Sequence, residues 1–122
     1  MFNLVEKFES EIPKYYGSPY AVATDSCTHA IELCLRYQKI SDATTPKHTY
    51  ISIPFTFEKL DIEWDWTDQE WKDYYFIGNT NIVDAAVLWK KDGYIENTMM
   101  CVSFQHKKHV KLGRGGMILC DD

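Results

Sequence analysis

The stretch Tyr20-Ala21-Val22-Ala23-Thr24-Asp25-Ser26-Cys27-Thr28 decides the fold, because a short apolar run passes directly into residues that start helices. Residues 20–24 are typical of a strand. The segment 25–28 offers several side chains that cap helix N-termini, and apolar residues then recur at helical spacing as far as residue 37. The sequence therefore predicts a strand, a tight turn and a helix in immediate succession.

The rest of the chain also contains local patterns that predict helices, strands and loops. Apolar residues at helical spacing predict an opening helix that Pro13 closes. The polar residues 41–48 predict a loop, and residues 50–53 predict a strand ended by Pro54. The order Thr67-Asp68-Gln69-Glu70 has the form of a capping box and predicts a short helix. Further apolar runs at 74–77, 81–86, 99–104 and 116–120 complete the pattern.

Strands interleaved with helices predict an α/β fold, with a partly parallel sheet flanked by helices, and 122 residues suit a single domain over 1–122. The hydrophobic content of 45% and the net charge of −5 indicate a soluble globular protein without general affinity for nucleic acid or acidic membranes. The spacing of the four cysteines predicts no metal site. Without a signal peptide or a membrane span, we expect reduced cysteines and a cytoplasmic protein.

The segment 103–116 combines a strand end, a cluster of cations and a glycine turn. Neighbouring cations lower one another's pKa, so a lysine here is easier to deprotonate, as a Schiff-base nucleophile must be, and the cluster attracts phosphate. The same residues also fit a basic surface loop closed by a glycine turn. A nucleic-acid patch is a third reading, which the acidic remainder of the chain disfavours.

Three other positions allow a structural and a functional interpretation. The helix start at 25–28 can bind a phosphate through free N–H groups and hydroxyls, or can simply be capped. Asp84 ends an apolar run, where an acid can pair with a cationic ring nitrogen or cap the next turn. Phe57 can cover a ring or fill the core, and the residues alone favour the core.

Taken in order, these segments resemble the DegT/DnrJ/StrS aminotransferases, a branch of the fold-type-I pyridoxal-phosphate enzymes. Residues 26–30 resemble the family's Ser-Gly-Thr-x-Ala phosphate turn, with Cys27 in place of glycine. Residues 54–57 resemble its Pro-x-Phe-Thr-Phe segment, and residues 82–86 its Glu-Asp-Ala-Ala. Residues 103–108 resemble its Ser-Phe-His-x-x-Lys, which precedes a Gly-Gly pair found here at 115–116.

The resemblance implies a reduced version of the family's large domain with pyridoxal 5'-phosphate as cofactor. Lys108 would hold the cofactor as a Schiff base and shuttle a proton, and Asp84 would pair with the pyridinium nitrogen. Phe57 would stack on the ring. The phosphate would be held by Thr28, Ser103 and the backbone of Ser26 and Cys27.

The resemblance further implies amino transfer from an amino-acid donor to a keto nucleotide-sugar, by a homodimer or with a complementing second chain. Only 26 residues separate Phe57 from Asp84, fewer than in full-length members, so part of the sheet layer is missing or rebuilt by the nearby tryptophans and tyrosines. The family's C-terminal portion has no counterpart, so we expect a truncated form. An inactive or split-enzyme remnant acting as a binding module is the alternative.

Overall fold

The computed structural model describes residues 2–103 and 115–121, with side chains described from Glu9 onward. The elements are α1 (Phe2–Tyr16), β1 (Tyr20–Thr24), α2 (Cys27–Tyr37), β2 (Asp42–Pro46), α3 (Ser52–Lys59), β3 (Glu63–Thr67), β4 (Tyr75–Phe76), β5 (Ile82–Ala85), β6 (Met99–Ser103) and β7 (Gly116–Cys120).

Five of these strands form the main sheet, in the order β1-β7-β6-β5-β4. The β5–β6 pair is parallel, whereas β1–β7, β6–β7 and β4–β5 are antiparallel. The strands β2 and β3 form a second, parallel pair, and the Gly78 N–H donates to the Thr44 carbonyl at 3.1 Å where the two sheets meet. The predicted partly parallel α/β sheet is confirmed.

The main sheet is buried on both faces because side chains alternate along its central strands. One face carries Ile82, Cys101 and Ile118, which pack with the apolar side of α2. The opposite face packs with Ile12 and Tyr16 of α1. The strand residues on that second face are Val83, Ala85, Met100, Val102, Met117 and Leu119. Helices therefore cover both sides of the sheet, as expected.

The predicted strand β1 and helix α2 are confirmed, but α1 does not end at Pro13. The helix continues to Tyr16, and the Pro13 carbonyl accepts the N–H groups of Gly17 and Ser18, both at 2.8 Å. Gly17 has φ of 80°, the left-handed conformation that commonly follows a helix. The glycine, rather than the proline, therefore ends the helix.

Three further predictions of secondary structure are wrong. Residues 42–46 form a strand rather than a loop, and residues 52–59 form a helix where a strand ended by Pro54 was expected. Pro54 is the third residue of α3, where a backbone N–H has no intrahelical acceptor, so the ring is tolerated. The predicted helix at Thr67 is absent from the described residues, because Thr67 ends β3 and pairs with Pro46.

The segment between Phe57 and Asp84 forms two strands. It contains β3, with Trp64 and Trp66, and the two-residue strand β4. The ring of Trp71 lies 4.9 Å from that of Tyr75 in β4, centroid to centroid. Aromatic side chains therefore contribute to the packing of this segment.

Within residues 2–103 and 115–121, no helix is long and apolar enough to cross a membrane. The same part of the chain contains no cluster of three His, Cys, Asp or Glu side chains that could hold a metal ion.

Candidate functional site

The candidate site lies where α2 begins against one end of the main sheet. The carboxyl ends of the parallel strands β5 and β6 meet there, and the antiparallel β7 starts at the same end. Asp84 and Ser103 lie two residues beyond Ile82 and Cys101, so strand alternation places both on the face that α2 covers. The ends of parallel strands are a common place for ligands in α/β proteins.

A cavity of about 510 Å³ opens at this position. Its volume lies within the range typical of small-molecule and cofactor sites. The lining residues come from the start of α2, the start of α3 and the strand ends, and are Asp25, Ser26, Cys27, Thr28, Ile31, Tyr50, Ile51, Ser52, Ile53, Asp84, Ala86, Ser103 and Gly115. Hydroxyls and the two acidic residues Asp25 and Asp84 thus line the same space as apolar side chains.

Asp84 is the buried acid of the cavity, with 4% of its surface exposed. Its Oδ2 accepts a hydrogen bond from the Tyr75 hydroxyl at 2.7 Å, and its Oδ1 accepts one from the Ala86 N–H at 3.2 Å. Burial raises the pKa of this carboxyl group, whereas the two hydrogen bonds oppose that rise. None of the ion pairs formed by the described residues includes Asp84, although Asp25, which pairs with His29, also lines the cavity.

Hydroxyl groups surround the N-terminus of α2. Ser26 has extended backbone geometry at the N-cap, and its Oγ accepts the His29 N–H at 3.0 Å. The Thr28 hydroxyl lies 3.0 Å from the Ser52 hydroxyl at the start of α3. In such a pair one hydroxyl donates to the other, so one hydrogen remains for a further acceptor. The helix N-terminus adds partial positive charge, so this end of the cavity suits an anion.

Cys27 occupies the phosphate-turn position where a glycine was expected from the family resemblance. Its side chain is only 8% exposed and packs into the core with Ala30 and Ile31 of the same helix. Burial raises the pKa of its thiol well above the usual range, and the nearby Asp84 carboxylate raises it further. The thiol is therefore neutral, and the turn accommodates a side chain by directing it into the core.

Gly116 allows β7 to approach the start of α2 closely. A Cβ at this position would lie 2.5 Å from the carbonyl carbon of Ser26 and 2.6 Å from the backbone nitrogen of Cys27. Both contacts are shorter than real Cβ contacts, and both involve backbone. The absence of a side chain at Gly116 thus determines how near the sheet the helix N-terminus can lie.

Most of the residues predicted from the sequence line this one cavity, namely Ser26, Cys27, Thr28, Asp84 and Ser103. Lys108 lies outside the described residues, as does the rest of the cationic segment. Phe57 does not line the cavity, because its ring is fully buried in the core, 6.1 Å from the ring of Trp64. For Phe57 the structure therefore gives the core position that the residues alone favoured.

The aromatic residue that does line the cavity is Tyr50, which was not among the residues predicted from the sequence. Tyr50 is 51% exposed and lies in the turn before α3, next to Ile51 and Ser52, which also line the cavity. A signal for it was present, because Pro46-Lys47-His48-Thr49-Tyr50 has a proline, two residues, a threonine and an aromatic residue. That spacing fits Pro-x-Phe-Thr-Phe better than residues 54–57, which are one residue shorter.

Comparison with known proteins gives a family match over the first part of the chain. Residues 1–59 match the DegT/DnrJ/EryC1/StrS aminotransferase family, so the resemblance drawn from the sequence is confirmed over that part. No curated protein sequence matches the chain significantly.

Solved structures share the fold over nearly the whole chain. A 3-amino-5-hydroxybenzoic acid synthase has a TM-score of 0.76 at 19% identity, covering 98% of this chain and 43% of its own. DesI, solved in the presence of its TDP-sugar product, has a TM-score of 0.74 at 16% identity, covering 98% of this chain and 42% of its own. A PLP-dependent aminotransferase from Bacillus cereus ATCC 10987 also has a TM-score of 0.74 at 16% identity, covering 98% of this chain and 46% of its own. The chain therefore spans less than half the length of the structures it resembles, and it has the fold of the pyridoxal-phosphate-dependent aminotransferases.

Proposed function

We propose that this chain, whose residues 1–59 match the DegT/DnrJ/EryC1/StrS aminotransferases, binds pyridoxal 5'-phosphate in the cavity between α2 and the ends of β5 and β6. The observation that carries the proposal is Asp84, a buried carboxyl group that lines the cavity and has no cationic partner among the described residues. Buried charges are normally paired, so a cationic group in the cavity would complete this site.

The residues present fit the cofactor at both of its charged ends. The pyridinium nitrogen is the cation that Asp84 would pair with and keep protonated. The phosphate would bind where α2 starts, at the backbone of Ser26 and Cys27 and the Thr28–Ser52 hydroxyl pair. Ser103 lines the same cavity and would contribute a further hydroxyl.

The cofactor's flat ring requires an apolar or aromatic cover. We assign that position to Tyr50 rather than Phe57, because Tyr50 lines the cavity and Phe57 lies within the core. An aromatic ring stacked on the pyridine ring would both orient it and exclude water from one side.

Lys108 is the residue we propose to hold the cofactor covalently. Both residues that border its segment, Ser103 and Gly115, line the cavity. Lys108 follows Ser103 by five positions, and five residues of chain span at most about 17 Å. The bound cofactor would supply the electron sink. Lys108 would hold and move the proton, and Asp84 would keep the ring nitrogen charged.

The reaction we propose is transfer of an amino group from an amino-acid donor to a keto nucleotide-sugar. The partner we propose is a second copy of this chain or a complementing second chain, which would contribute to the substrate site. The second candidate is a binding module that retains the cofactor pocket without turnover. Both candidates require that the cofactor binds.

Covalent labelling tests the proposal directly. The purified protein is incubated with sub-millimolar pyridoxal phosphate and reduced with borohydride, and the modified residue is located by mass spectrometry. We expect one dominant adduct, at Lys108, which Lys108→Ala removes. The matched controls Lys107→Ala and Lys111→Ala should keep it. Labelling spread evenly over the three lysines, or unaffected by Lys108→Ala, would exclude a specific cofactor site.

A further inference from the structure

Tyr75 is a buried phenol bound to the cavity's acid. Only 2% of its surface is exposed, and its hydroxyl donates to Asp84 Oδ2 at 2.7 Å. The Thr49 hydroxyl lies 2.5 Å from the same phenol oxygen. A phenol has one hydrogen, which here goes to Asp84, so Thr49 is the donor to Tyr75. The three residues form a chain of hydrogen bonds from the turn beside Tyr50 to Asp84.

Backbone pairing fixes the contact between Tyr75 and Asp84. The two residues are direct partners in the antiparallel β4–β5 pair, so their side chains project from the same face of the sheet. Packing against Trp71 holds the phenol ring from the other side. Tyr75 lies in the segment between Phe57 and Asp84, and the short strand β4 of that segment places its phenol beside Asp84.

We propose that Tyr75 is a positioning residue for Asp84, holding one carboxylate oxygen while the Ala86 N–H holds the other and directing the remaining lone pairs into the cavity. With both oxygens engaged, the carboxyl plane has one orientation before any ligand arrives. The importance of that orientation for the ring nitrogen rests on the proposed cofactor function. The effect of Tyr75 on the carboxyl group itself does not.

The neutral donor also matters for the charge of Asp84. Among residues 2–103 and 115–121, the other titratable groups that face this carboxyl are the thiols of Cys27 on α2 and Cys101 on β6, and neither is a cation. Donation from Tyr75 stabilises the ionised carboxylate, and Thr49 strengthens that donation by donating to the phenol oxygen. The hydrogen bond from Tyr75 counteracts the rise in the pKa of Asp84 that burial causes. Loss of the phenol would therefore raise that pKa further.

The test is Tyr75→Phe, which removes the hydroxyl and keeps the ring. The carboxyl resonance of Asp84 is titrated by carbon-13 NMR in the cofactor-free protein and assigned through Asp84→Asn. A hydrogen bond to a charged group contributes about 1.5–3 kcal/mol, and about 1.4 kcal/mol corresponds to a factor of ten in an equilibrium constant. We therefore expect the acid dissociation constant of Asp84 to fall by at least about tenfold. Tyr74→Phe is the matched control, because Tyr74 is 38% exposed and is not the strand partner of Asp84.

Thr49→Val is a second variant that leaves the Tyr75 ring in place and should shift the same resonance in the same direction by less. An Asp84 titration unchanged in both Tyr75→Phe and Thr49→Val overturns the proposal. The NMR measurement needs no cofactor, so it separates the two hypotheses. A shifted Asp84 in a protein that forms no pyridoxal-phosphate adduct supports the role of Tyr75 and refutes the proposed function. An adduct with an unshifted Asp84 does the reverse.

Discussion

Replacing Gly116 with alanine should disrupt the contact between β7 and α2. The new Cβ would lie 2.5 Å from the Ser26 carbonyl carbon and 2.6 Å from both the Cys27 nitrogen and the Ser26 oxygen. All three atoms are backbone, so no side-chain rotation relieves the overlap, and the start of α2 must move. Overpacking typically costs about 1–3 kcal/mol, and rigid backbone neighbours place this change near the upper end, at about 3 kcal/mol.

Urea denaturation measures that cost. With a typical dependence of about 1–3 kcal/mol per molar urea, a loss of about 3 kcal/mol lowers the midpoint by roughly 1–3 M. Cys27 is 8% exposed, and displacement of the helix start should expose it further. A thiol reagent should then modify Cys27 at a rate higher than the rate of global unfolding.

The control for Gly116→Ala is Ile118→Val in the same strand, which costs about 0.5–1.5 kcal/mol by removing one methylene and leaves the α2 start in place. It should lower stability without selective labelling of Cys27. If the free energy of unfolding of Gly116→Ala lies within about 0.5 kcal/mol of that of the unmodified protein, the predicted backbone overlap is refuted. A change that small is typical of substitutions at exposed surface positions.

Two further predictions concern the same end of the sheet. Ser26→Ala removes the side-chain acceptor for the His29 N–H, and it should lower the free energy of unfolding by about 0.5–2 kcal/mol in urea denaturation. Ser26→Asn, which provides another good N-cap, should retain most of the stability. Equal losses in both variants would show that the cap is unimportant. Asp84→Asn should remove a pH dependence: the pKa of Asp84 is raised on folding, so its stabilising contribution is complete below its unfolded pKa of about 3.9 and is lost as pH rises through the folded pKa. The variant should therefore gain stability relative to the unmodified protein across that rise, by about 1.4 kcal/mol for each pH unit that separates the folded pKa from the unfolded one, and parallel pH profiles of the two proteins would contradict this.

The strand-turn-helix at residues 20–37 was predictable because each of its signals is local. The apolar run forms β1, Ser26 caps α2, and the helical repeat buries Ile31 and Leu35. Asp84 was also singled out by a local signal, since it stands near the end of the apolar strand β5, whereas Ser103 was assigned through the family resemblance.

The errors come from elements that depend on distant partners. The strand β2 has the polar sequence Asp-Ala-Thr-Thr-Pro, and it is extended because it pairs with β3 and buries Ala43 and Thr45 beneath neighbouring elements. Conversely, the β-branched residues before Pro54 suggested a strand, but Ile53 packs into the core from a helix. Tertiary packing outweighs local propensity at both places.

The pairing of β1 with β7 has a consequence for how the cavity comes into being. Tyr20 pairs with Cys120 and Thr24 with Gly116, so residues about a hundred positions apart must meet before β1 has a partner in the main sheet. The entropy of closing so long a loop is lost before the contacts form, which slows folding. The start of α2 rests against Gly116, so a newly made chain completes the anion-binding end of the cavity only after residue 116 has joined the sheet. We therefore expect the cavity to be completed late in folding, so that a ligand bound there would be found on fully folded molecules.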